Sequence, residues 1–184
     1  ALSNGQLVSA SVDKTIRFWN PTTGQAVRTV TTSGPVTAMV LSRDSKNLAV
    51  AVADKSIILY PSTGGAARHT LSGHRSAIHS LAFSPDNQRL VSASANGAIV
   101  WSVGSGRLLE IVSPGSTGKG RPQAKLAWAT FGTAEDQVVL QESSGQVLLQ
   151  RLHFAAALPG FKKAISALAF HPVSQLLLAS SEDG

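Results

Sequence analysis

His69, His74 and His79 recur at intervals of five residues, and a metal centre is the first chemistry such a run offers. Metal ligation needs side chains that converge on one point. These three fall on a strand, in a loop and on the following strand, so their directions differ and no metal site is expected. Gly115-Ser116-Thr117-Gly118-Lys119 carries the residue types of a phosphate-cradling loop. That motif needs four residues between its glycines and a Ser or Thr after its Lys. Here two residues separate the glycines and Gly120 follows Lys119. A nucleophilic hydrolase needs Ser or Cys with a His base and an orienting acid. Ser is plentiful, but there is no Gly-x-Ser-x-Gly elbow and no cysteine at all. Catalytic residues, a cofactor and a small-molecule substrate are therefore not expected.

Charge and repetition remain. The chain has 184 residues, 43% of them hydrophobic and 14% charged, with 16 Gly and 8 Pro, which suits many short strands joined by tight turns. Sixteen Lys and Arg against 10 Asp and Glu leave a net charge of +6, which permits an anionic partner without demanding one. No apolar run approaches the ~20 residues that cross a bilayer. The stretch from Ala1 to Val8 lacks the basic-then-apolar pattern of a signal peptide. No membrane contact is expected.

One unit recurs, with a small apolar strand, a turn carrying Asp or Asn, and a second apolar strand. It spans Leu7–Trp19, Leu48–Tyr60 and Leu90–Trp101, with a worn copy at Val138–Gln150 and a fifth at Leu177–Gly184. Another strand precedes each of the last four copies, at Val36–Ser42, Ile78–Ser84, Leu126–Gly132 and Ile165–His171. Trp19 to Tyr60 is 41 residues, and Tyr60 to Trp101 is 41 again. A period near 40 with four short strands per unit marks a β-propeller blade. Gly73-His74, Phe83-Ser84-Pro85-Asp86, Asn96-Gly97 and Trp101 together resemble one blade of the WD-repeat family. The resemblance covers essentially the whole chain and is specific to fold, not to function. The copies diverge: only one keeps Gly-His, no Asp follows any Trp, and the third is one residue shorter between its turn and Trp101.

The resemblance implies an all-β propeller of four-stranded antiparallel blades, with strands a (innermost) to d (outermost). Blades are expected at about 34–72, 73–113 and 124–159, with partial ones at 1–31 and 160–184 and an inserted loop at 113–125. Both ends contribute a strand b, so the chain reads as a piece of a longer chain, a ring of about seven blades or a double propeller, rather than a small closed ring. Strand a, almost wholly apolar or small, is expected to be buried on both faces. Trp128 stands where other copies have small residues. It either fills a gap left by Ala129 or faces the central channel, and packing is the favoured reading.

In blades of this family a loop His bonds a strand-b Ser or Thr, and the network continues to the turn Asp and the strand-c Trp. Carried over, it comprises His74, Ser92 or Ser94, Asn96 and Trp101, with Asp13 and Asp54 in the matching turns of their own blades. All are expected to be structural. The d–a and b–c loops share one rim, which receives Lys14, Lys55, Arg75, Lys119, Arg121, Lys125, Lys162 and Lys163. Its Asp residues are expected to be engaged inward. The opposite rim balances Arg43, Lys46, Arg89 and Arg107 with Asp44, Asp86, Glu135 and Asp136. Arg75, Lys119, Arg121, Lys125, Lys162 and Lys163 are the candidate binding residues. The expected role is a non-catalytic interaction scaffold within a larger protein assembly, in cytoplasm or nucleus. The alternative is an RNA-contacting subunit of a ribonucleoprotein or ribosome-assembly complex that uses the basic rim.

Overall fold

The computed structural model describes residues 2, 5–113, 125–133 and 136–153, and the backbone of two further strands. It divides into two units, residues 1–154 and 155–184. In the first unit every described element is a strand, and each sheet is an antiparallel meander. The first sheet orders β1 (Leu7–Ala10), β2 (Thr15–Trp19) and β3 (Ala26–Thr31). The second orders β4 (Val36–Leu41), β5 (Asn47–Val52), β6 (Ile57–Pro61) and β7 (His69–Leu71). The third orders β8 (Ile78–Phe83), β9 (Arg89–Ser94), β10 (Gly97–Ser102) and β11 (Leu108–Val112). The fourth orders β12 (Leu126–Phe131), β13 (Gln137–Glu142) and β14 (Val147–Arg151). The outer strand expected near residue 159, and residues 114–124 of the inserted loop, lie outside the described residues. The second unit contains one antiparallel pair, β15 (Ile165–His171) and β16 (Leu176–Ser181).

The period of two along each strand explains the core. Successive side chains point to opposite faces of a sheet. Thus Leu48, Val50 and Val52 of β5 pack with Ile16 and Phe18 of the first sheet, while Ala49 and Ala51 pack with Ile99 and Trp101 of the third. In β10, Ile99 and Trp101 serve that same layer, while Ala98 and Val100 pack with Val138 and Leu140 of the fourth sheet. Each interior sheet is thus glued on both faces, and truncating a side chain such as fully buried Leu90 to Ala costs about 2–5 kcal/mol.

In the second and third sheets strand b is buried more completely than strand a. β5 is buried at every residue and β9 at all but its first, whereas β4, β8 and β12 are only partly buried. Strand a is an edge of its sheet, so one side of its ladder lacks a partner in that sheet, while b lies between a and c. Its apolar composition reflects the layers it touches rather than full enclosure. Each strand a also carries a register shift near its start, at Thr37, His79, Ala127 and Ser166. Thr37, His79 and Ala127 are exposed there.

Trp128 corrects the packing reading. It is 44% exposed, while its neighbour Ala129 is fully buried. Ala129 is instead tied to the neighbouring sheet, where Ser80 Oγ on β8 donates to the Ala129 carbonyl at 3.3 Å.

Candidate functional site

The b–c turns of the first two sheets are built alike. In the first, the Asp13 carboxylate accepts from the Thr15 amide at 2.9 Å, the Thr15 hydroxyl at 2.6 Å and Arg17 Nη2 at 3.1 Å. In the second, Asp54 accepts from the Ser56 amide at 2.9 Å, the Ser56 hydroxyl at 2.6 Å and Ser33 Oγ at 3.1 Å. The following Thr15 or Ser56 hydroxyl is the main cause that holds each carboxyl below its ordinary value. Both Asp residues are exposed and bond within their own turn and loop, so they are not engaged inward. The reason is local: an Asp two residues before a Thr or Ser closes an Asx-type turn on itself. Lys14 and Lys55 between them take positive φ, 67° and 73°, and point outward.

The third sheet departs. Its b–c turn is shorter by one residue, with Ser94 paired directly to Gly97 across Ala95 and Asn96. Gly97 takes a φ of 141°, a conformation that side-chain-bearing residues rarely adopt. Beside this turn lies a hydrogen-bonded chain. Trp101 Nε1 donates to Ser92 Oγ at 2.8 Å, and Ser92 Oγ lies 2.6 Å from His74 Nε2. His74 Nδ1 lies 3.1 Å from Ser94 Oγ, which in turn reaches the Gly97 carbonyl at 3.2 Å. One proton arrangement running in a single direction satisfies every group: indole to Ser92, Ser92 to imidazole, imidazole to Ser94, and Ser94 to carbonyl. This arrangement holds a neutral imidazole. Burial lowers its pKa to about 4, with nearby His79 adding to the effect. The His74 and Trp101 rings lie 6.3 Å apart between centroids. Gly73 fits closely beside them: a Cβ there would stand 3.2 Å from Trp101 Cη2, tighter than ordinary contact.

The structure thus brings His74, Ser92, Ser94 and Trp101 together, and Asn96 stands outside their bonds. The missing turn residue removes the Asx geometry that Asp13 and Asp54 use. One pairing escaped the sequence reading: Trp19 Nε1 donates to Ser9 Oγ at 2.8 Å. Ser9 and Trp19 hold the same phase in their repeat as Ser92 and Trp101, and that phase was the available signal.

Backbone bonds place the d–a loops and b–c turns at one end of the first unit. The Val36 amide donates to the Ser11 carbonyl, Ala53 to Pro35, and Leu126 to Ala95. At that end Lys14, Lys55, Arg75 and Lys125 are all exposed. Lys119, Arg121, Lys162 and Lys163 lie outside the described residues. At the opposite end the turns tie to each other. The Arg43 amide donates to Asn87 Oδ1 at 2.9 Å, and Arg89 pairs with Asp86 at 3.3 Å. A pocket of about 340 Å³ opens on the first rim, lined by His74, Arg75, Ser94, Asn96, Ile99 and Ile111 among others. As for the three histidines, His69 Nε2 meets the Gly104 carbonyl at 3.1 Å, His74 is engaged as above, and His79 is exposed. No group of three His, Cys, Asp or Glu side chains that could hold a metal occurs among the described residues. No helix among them is long and apolar enough to cross a membrane.

Comparison with known proteins agrees with this geometry. The family model described as "WD domain, G-beta repeat" matches residues 2–20, 65–102 and 153–184. The chain is 33% identical over 121 residues, 65% of its length, to apoptotic protease-activating factor 1 of Rattus norvegicus, and spans 10% of that protein. It is 38% identical over 103 residues, 54% of its length, to target of rapamycin complex subunit LST8 of Saccharomyces cerevisiae, and spans 34% of it. It is 29% identical over 108 residues, 58% of its length, to U3 small nucleolar RNA-associated protein 21 of the same yeast, and spans 12% of it. With sheets that meander as blades do, and a Trp–Ser–His chain where the repeat places it, the chain carries repeats of the WD-repeat β-propeller type.

Proposed function

We infer that this protein is a non-catalytic interaction scaffold, a WD-repeat subunit of a larger multiprotein assembly inside the cell, in cytoplasm or nucleus. The observation that carries this reading is the rim formed by the d–a loops and b–c turns. It sets exposed, chemically varied side chains on turns held by backbone bonds to a rigid stack of sheets. Loops on such a support suit several partners at once. One relative is named as a complex subunit, which favours the same role.

The second reading is contact with RNA through the basic rim, favoured by Lys14, Lys55, Arg75 and Lys125 at one end and by a relative named for small nucleolar RNA. Phosphate contacts weaken steeply as salt rises. The test replaces those four residues, with Lys119, Arg121, Lys162 and Lys163, by Gln in the full-length protein and compares co-purifying partners. A scaffold loses a defined subset of proteins and keeps its fold. If the protein complement is unchanged while RNA recovery collapses, the rim serves RNA instead.

A further inference from the structure

We propose that the rim pocket beside His74 takes the carboxylate of an acidic side chain from a partner's peptide segment. This rests on the reading of the rim as a protein-contact surface. The pocket's volume, about 340 Å³, lies at the small end of ligand sites and suits a single side chain rather than an extended ligand. Its polar wall carries Arg75, which is exposed and has no ion-pair partner among the described residues. Asn96 is exposed beside it, and its amide makes no side-chain hydrogen bond among them. Ile99 and Ile111 supply an apolar wall for methylene groups.

The turn beside Arg75 leaves this charge uncompensated. In the first two sheets the b–c turn holds an acid, Asp13 or Asp54, next to the exposed lysine. In the third the turn has lost a residue and its acid together, leaving Asn96. Arg75 therefore faces a turn without a carboxylate, and an incoming carboxylate meets a guanidinium and an amide that can both donate. His74 adds no charge near neutral pH, since burial lowers its pKa to about 4 and its nitrogens bond Ser92 and Ser94. A nucleic-acid strand fits less well. Asp13 and Asp54 interrupt the same rim, and no exposed aromatic side chain lines the pocket to stack a base.

The test uses the full-length protein and a fluorescent hexaglutamate peptide, read by anisotropy, beside a hexaglutamine peptide and hexauridylate. The site predicts binding of hexaglutamate alone. Arg75→Gln and Asn96→Asp should each weaken it about tenfold, the size of one charge-assisted contact. Lys14→Gln, on another turn, should change it less than about twofold, since an exposed charge at a distance is screened. Melting temperatures confirm that the variants remain folded. Equal affinity in Arg75→Gln, or displacement of the peptide by hexauridylate at matched concentration, overturns the assignment. If cellular partners bind folded Arg75→Gln undiminished, the pocket fails while the scaffold stands. If all partners depend on RNA, the scaffold reading itself fails.

Discussion

Trp101 and Ser92 are joined by a 2.8 Å hydrogen bond from indole to hydroxyl, and Trp19 and Ser9 repeat it two blades earlier. The two bonds differ in surroundings. Ser92 is fully buried and also holds His74, whereas Ser9 and Trp19 are partly open to solvent. Ser92→Ala strands an indole N–H and an imidazole nitrogen, and should cost about 1–3 kcal/mol. Ser9→Ala should cost less than half of that, because water can replace the hydroxyl. Urea unfolding of both variants measures the difference.

Stability should fall between pH 6.5 and about 4 because of His74. The fold lowers its pKa from 6.5 to about 4. On acidification the unfolded chain takes up a proton near 6.5, but the folded chain does so only near 4. The unfolded state gains across that window, and the native state is favoured above it. Asp13 and Asp54, also lowered, stabilise the fold above 3.8 and lose that contribution only as pH falls below it. Thermal melts from pH 7.5 to 4 should show a slope that disappears in His74→Gln, even though that variant is less stable throughout.

The turns of the second and third sheets should respond oppositely to their central residues. Lys55 sits at a φ of 73°, which a β-branched residue resists, so Lys55→Val should cost about 1–3 kcal/mol while Lys55→Gly is near neutral. Gly97, at a φ of 141°, tolerates no Cβ without strain, and Gly97→Ala should cost about 1–3 kcal/mol. Differential scanning calorimetry of the three variants checks the pattern.

Partners held through Arg75 and Lys125 should dissociate faster as salt rises, because both side chains are exposed and screened. Partner release measured from 0.05 to 0.5 M salt should steepen modestly, by far less than a multi-phosphate contact would show.

The repeat was legible because its signal is physical. Alternating apolar residues at a fixed phase assign Leu48, Val50, Ala49 and Ala51 to opposite layers without any structure. The grouping of His74, Ser92 and Trp101 came instead from the family resemblance, carried over residue by residue. Asn96 did not follow it, because one lost turn residue changes direction rather than composition. Asp13 and Asp54 were placed in the right turns but given the wrong orientation, since a carboxylate closing its own turn looks the same in sequence as one bonding inward. Trp128 misled because a large side chain among small ones suggested packing, whereas it is Ala129 that is buried and bonded to Ser80 while the indole stays exposed.

The scaffold claim is tested most directly by affinity purification of the full-length protein from its own cells, with and without RNase, followed by mass spectrometry. An interaction scaffold retains a defined set of proteins in near-constant ratio after RNase. Loss of those proteins with the RNA would contradict the scaffold role.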